Sequence, residues 1–225
     1  MALIVAVVRR LDSCRLYGIL DLGYIERADV IRVATAMING GVDVIQLRAK
    51  ERIPAEIAAM AEEIHRVSSP ANVPLVINDH PAIARDIGAE GVHAGQDDMS
   101  VAKARDLAGG RCFVGKSTHS LEQAKRAAEE GADYIGWGPL FATPTKPDYT
   151  AIGLDEIAEV HRTVQLPIFC IGGIKLENLP QVIAAGAQRV VIVSGLLQAA
   201  DIAQYARAAR ALLTDQPLTI NHQLP

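Results

Sequence analysis

Short apolar runs alternating with amphipathic stretches predict an α/β fold, a (β/α)8 barrel of the TIM-barrel type in a single domain. Two further observations agree. The length of 225 residues suits one such barrel. No Pro/Gly/Ser-rich linker or charge block divides the chain, as a domain boundary usually would.

The strands are expected at 16–20, 44–47, 75–77, 91–93, 112–115, 134–137, 168–171 and 190–193, each short and apolar. Helices are expected between them at 28–39, 54–67, 81–87, 101–107, 121–130, 154–162, 177–185 and 202–213, where apolar residues recur three and four apart. An internal echo opens on Gly41, Gly88, Gly131 and Gly186, each leading from a helix end into strands two, four, six and eight. Glycine accepts the left-handed conformation that ends a helix, so the echo reads as ordinary loop chemistry. Residues 2–8 suggest an extra strand or short helix, too short to span a bilayer and followed, not preceded, by Arg9-Arg10. The barrel is therefore assigned to 1–213. Residues 214–225, with two prolines and no helical period, are read as a tail without assigned function.

Half the residues are apolar and 21% charged, enough to bury a large core. The net charge of −4 argues against general nucleic-acid binding, which relies on excess Lys and Arg. No membrane segment is expected either. Cys14, Cys112 and Cys170 are widely spaced and form no C-x-x-C pair, so neither a disulfide framework nor a structural zinc site is indicated, and a reducing cytoplasm fits best.

In such barrels ligands bind where strands run out into loops, so the polar residues just after the strands are the candidates. After strand two, Gln46, Arg48 and Lys50 alternate and share a face, making a cationic fork; a solvated strand end is the plain alternative. Strand three ends in Asn78-Asp79 and strand four leads to Gly95-Gln96-Asp97-Asp98. Two neighbouring strands can thus bring Asp79 and Asp98 to one point, a hard-oxygen pair suited to Mg2+, although either residue alone would serve as a helix cap. Strand five is followed by Lys116-Ser117-Thr118-His119-Ser120, with Ser120 the expected cap and Ser117 the expected ligand. The long loop after strand six carries Thr143, Thr145 and Lys146. Strands seven and eight end in Gly172-Gly173-Ile174 and in Ser194-Gly195 after Val193, where backbone N–H groups can approach an anion. His65 and His161 are expected on solvent faces of helices, and His93 at a strand end. His80 flanks Asp79, His119 orients a loop, and Tyr17 and Trp137 fill core.

These motifs, in this order from Leu16-Tyr17 to about Ser194, resemble the thiamine-phosphate synthase family. The resemblance implies a transferase that joins an aminopyrimidine methyl diphosphate to a carboxylated thiazole phosphate, giving thiamine phosphate, diphosphate and carbon dioxide. By that resemblance, Gln46, Arg48, Lys50, Asn78, Ser117 and Lys146 hold the pyrimidine diphosphate and Asp79 and Asp98 bind Mg2+. Thr143, Thr145, Gly173, Val193 and Ser194 hold the thiazole phosphate. Arg48, Lys50, Lys146 and Ser117 are then the catalytic candidates, stabilising charge as diphosphate leaves. Leu20, Ala94 and Gly195 depart from the family's usual Thr, bulkier apolar residue and Ala. Gly195 also resembles the related thiazole tautomerase branch, but the fork and both carboxylates favour the synthase. Barrels of this kind are often homodimers, which sets the expectation for assembly.

Overall fold

A computed structural model describes residues 11–96, 98–143 and 149–214; the expectations for 2–8 and for the tail beyond 214 lie outside them. Eight parallel strands close in sequence order: β1 Leu16–Asp21, β2 Val44–Arg48, β3 Leu75–Asn78, β4 Gly91–Ala94, β5 Phe113–Thr118, β6 Tyr134–Trp137, β7 Ile168–Cys170 and β8 Val190–Ile192. Their helices are α1 Val30–Asn39, α2 Pro54–Ser68, α3 Pro81–Ile87, α4 Val101–Leu107, α5 Leu121–Glu129, α6 Ile157–Thr163, α7 Leu179–Ala184 and, after a short α8 at Ser194–Leu197, α9 Ile202–Thr214. The expected order of elements holds, with ends shifted by a few residues. Among the described residues no helix is long and apolar enough to cross a membrane.

Strand alternation sorts the side chains into two cores. One lies between sheet and helices, where Leu16, Leu20, Ile45, Leu47 and Ile77 meet Val33, Met37, Ile57 and Ile64. The other fills the barrel, from Tyr17, Ile19, Val44 and Val76 to Phe113, Tyr134, Phe169 and Val191. Rings fit because small residues face them: a Cβ on Gly115 would fall inside the Tyr134 ring. Among the described residues the barrel interior is thus filled by side chains, and it opens into a cleft at its upper end, at the strand C-termini.

The glycine-led echo has a structural use that the loop reading understated. Its third residue turns back to the neighbouring odd strand. Asp43 accepts from the N–H groups of Arg15 (2.8 Å) and Leu16 (3.0 Å), Glu90 from Leu75 (2.9 Å) and Asp133 from Val114 (2.7 Å). Each carboxylate also meets a basic side chain: Arg210, His65 and Arg105 respectively. The fourth copy is Gln188, whose buried Oε1 meets no donor.

Two histidines expected in solvent are not there. His65 of α2 reaches Glu90 at 3.3 Å. His161 of α6 packs inward, and burial, with the nearby Arg189 charge, lowers its pKa from 6.5 to about 4. Below pH 6.5 the unfolded chain takes up a proton that the folded protein refuses until about pH 4, so stability falls as pH drops through that window. His161→Gln should therefore flatten the dependence of Tm on pH between 6.5 and 4, read by thermal melts. An unchanged slope would contradict the assignment.

Candidate active site

The floor of the open end is a hydrogen-bonded chain of polar side chains. Gln46, 3% exposed, donates from Nε2 to the Tyr17 hydroxyl (2.8 Å), which meets the Tyr134 hydroxyl at 3.1 Å. Tyr134 continues to His93 Nδ1 (3.0 Å), and His93 Nε2 to Ser117 Oγ (2.9 Å). Burial pushes both tyrosines well above the usual phenol range, so they stay neutral. Gln46 and Ser117 are thus presented by interior-facing strand positions and locked from behind.

Above this floor the charged groups are paired across neighbouring strands. Arg48 is in register with Asp21, and its guanidinium donates to Asp21 Oδ2 at 2.6 Å. Asp21 is 3% exposed and takes the Gly23 N–H on its other oxygen (3.0 Å). The pair is therefore rigid and largely shielded from water, and it aims one arm of the fork. The other arm, Lys50, is half exposed and stands 3.7 Å from Asp79.

Asp79 takes the left-handed conformation (φ 62°), which Asp tolerates better than most residues but still with strain. Its N–H donates to His93 O (2.9 Å) and its Oδ2 accepts from Asn78 (2.5 Å), while its buried Oδ1 meets no donor. Burial first, then the charge of Asp98, raises its pKa, with Lys50 opposing. Neither carboxylate caps a helix: the caps of α3 and α4 are His80 and Ser100. Two neighbouring carboxylates, Asp79 half-buried with an unbonded oxygen and Asp98 exposed at the rim, fit a divalent cation whose remaining ligands would be water and ligand oxygens. Among the described residues there is no larger cluster that would cage a metal with protein groups alone.

The rest of the wall comes from β6, β7 and β8, the last of them paired with β1. Gly172 (φ 101°) and Gly173 (φ 66°) are required by their backbone conformation. They are also required by packing, since Cβ atoms there would strike Pro139 and Phe141 of the β6 loop. Ser194 opens α8, a turn too short for sequence periodicity to reveal, at the place where barrels commonly seat phosphate. Gly195 has a local reason: a Cβ would sit 2.5 Å from the Tyr205 hydroxyl, which accepts the Leu176 N–H. His119 lies on the rim, its Nδ1 bonded to Gly138 O and its ring near Tyr149. Ser120 caps α5 through the Gln123 N–H, as expected.

All of these strand ends face one cleft of about 850 Å³, its open mouth included. Of the residues singled out from sequence, Gln46, Arg48, Lys50, Asn78, Asp79, Asp98, Ser117, Thr143, Gly173, Val193 and Ser194 line it. Thr145 and Lys146 lie outside the described residues. Sequence reasoning missed Asp21 and the link from His93 to Ser117. The signal for Asp21 was present, an acidic residue closing the apolar run of β1 beside the Arg that closes β2.

The family model for thiamine monophosphate synthase matches residues 16–196, from the first residue of β1 into α8. The chain belongs to this family. The thiamine-phosphate synthase of Chloroflexus aurantiacus is 42% identical over 201 residues, covering 89% of this chain and 93% of that one. The protein of the same name from Thermus thermophilus is 44% identical over 177 residues, covering 78% and 85%. Among solved structures, thiamine phosphate pyrophosphorylase from Pyrococcus furiosus superposes with a TM-score of 0.82 at 27% identity, over 92% of this chain and 98% of that one. A 3-hexulose-6-phosphate synthase shares the barrel at TM-score 0.67 and 20% identity, a likeness of fold alone. Thiamine monophosphate synthase family membership thus covers all eight strands and every described candidate residue.

Proposed function

We propose that this chain is a transferase of thiamine biosynthesis. It joins an aminopyrimidine methyl diphosphate to a carboxylated thiazole phosphate and releases thiamine phosphate, diphosphate and carbon dioxide. The observation that carries the reading is that the cationic fork of β2, the paired carboxylates after β3 and β4, and the glycine loops of β7 and β8 open onto one cleft in a member of this family.

The bond between the pyrimidine methylene carbon and the diphosphate oxygen breaks, the electron pair leaving with diphosphate. The thiazole nitrogen supplies the pair that forms the new carbon–nitrogen bond, and the thiazole carboxylate is lost as carbon dioxide, the bonding pair left on the ring carbon taking up a proton from solvent. No enzyme nucleophile is needed; the protein's work is positional and electrostatic. Arg48, fixed by Asp21, and Lys50 offset charge on the departing diphosphate, with Lys146 the third cation of that set. Ser117, Gln46 and Asn78 hold the pyrimidine half. Thr143, Thr145, Gly173, Val193 and Ser194 hold the thiazole phosphate. Asp79 and Asp98 hold Mg2+, which would neutralise further charge on the diphosphate. Cytoplasmic residence, a homodimer and small-molecule partners without nucleic acid or membrane complete the proposal. The three buried free thiols suit a reducing compartment.

Calorimetry separates this from a sugar-phosphate enzyme on the same barrel. Pyrimidine diphosphate with Mg2+ should bind and a pentose phosphate should not; the reverse preference would remove the pyrimidine reading.

A further inference from the structure

Lys116 is buried, 6% exposed, and lies on β5 beside Ser117. Strand alternation turns Ser117 to the cleft and Lys116 away from it. Its ammonium reaches over the end of β4 and donates to three backbone carbonyls, Gly95 O at 2.8 Å, Gln96 O at 3.1 Å and Met99 O at 2.7 Å. These carbonyls flank Asp98 on both sides in sequence, so the loop that carries the second carboxylate is wound around one charge. Two further contacts tighten the same winding. The Asp98 N–H donates to Gly95 O (3.3 Å), and Gly95 itself leaves room for the Asp98 carboxylate, which a Cβ there would strike. The Gln96 amide, with its nitrogen towards Ser117 O (2.7 Å) and its oxygen towards Arg126 (2.9 Å), ties the loop to β5 and α5.

Filling this space needs only an apolar side chain, and a buried ammonium is offset only when its donors find good acceptors. Here the acceptors all belong to the loop that carries Asp98. We infer that Lys116 is a positioning residue which presets Asp98 opposite Asp79, so that the affinity of the carboxylate pair for a divalent cation with diphosphate is set from β5. This rests on the reading of Asp79 and Asp98 as the metal pair. Lys116 does not line the cleft; it acts through the backbone of the loop.

The test uses the full chain, Mn2+ and inorganic diphosphate. Paramagnetic resonance reports Mn2+ binding, and calorimetry reports diphosphate binding with and without the metal. Lys116→Met should weaken metal-dependent diphosphate binding at least about tenfold, the lower range for groups that orient a metal ligand. Metal-free diphosphate binding should not change. In turnover the Mg2+ activation constant should rise while kcat recovers at saturating Mg2+, the signature of a less populated competent loop. Lys116→Arg, which keeps the charge and its donors, should recover most of the affinity. If Lys116→Met does not fold, Lys116→Gln takes the same measurements. A folded variant with wild-type Mn2+ affinity would overturn the role of Lys116 alone. Wild-type protein that binds diphosphate equally with and without metal would overturn the metal pair and this role with it.

Discussion

Asp79→Asn lowers turnover by about 10²–10³, equivalent to about 3–4 kcal/mol of transition-state stabilisation. Asparagine is the informative substitution because it keeps the side-chain shape and tolerates the left-handed backbone at φ 62°. Only the charge is removed, and with it the donor pair for a cation. The same change should make the metal-free protein more stable at neutral pH. Burial and Asp98 raise the Asp79 pKa, so the folded state binds a proton more readily than the unfolded chain, and ionisation at higher pH works against folding. Removing that carboxylate removes the penalty. Steady-state kinetics and urea unfolding at pH 7.5 test both halves together. Full turnover in the variant, or a loss of stability with the loss of turnover, would contradict the account.

Asp21→Asn is expected to affect activity and stability together. Asp21 and Arg48 form a shielded ion pair, with side chains 4% and 16% exposed. Removing one charge from such a pair leaves the other uncompensated, and the destabilisation should be about 3 kcal/mol, the low end because Arg48 keeps some contact with water. In catalysis the guanidinium loses the partner that aims it, and kcat/KM for the pyrimidine diphosphate should fall by about two orders of magnitude. The thiazole phosphate KM should change less, because its candidate ligands come from the ends of β6, β7 and β8 and not from β2, whose Arg48 loses its partner. A variant with both substrates equally affected would point to general loosening instead of loss of the Arg48 position.

Much of this site was legible because a barrel places every strand C-terminus at one end. The polar residues that close apolar runs, Gln46 and Arg48 on β2, Asn78 on β3 and Ser117 on β5, therefore had to converge once the eight runs were recognised. Pairings between strands were less accessible. Asp21 meets Arg48 only because β1 and β2 share a register, and one sequence does not give register. Lys116 looked like part of a polar loop, yet strand alternation turns it outward to bond carbonyls of the loop that follows β4, which depends on β5 running on to Thr118. His161 was assigned to solvent because a helical histidine usually is; the face it shares with Ile157, Val160 and Val164 is in fact the buried one. The short turn of α8 left no period to detect.

The most direct measurement is end-point product analysis of the purified protein with pyrimidine diphosphate, carboxylated thiazole phosphate and Mg2+, repeated with a chelator. The account predicts thiamine phosphate and diphosphate in equal amounts, both lost when the metal is removed. Isomerisation of the thiazole alone, or thiamine phosphate formed undiminished in chelator, would contradict it.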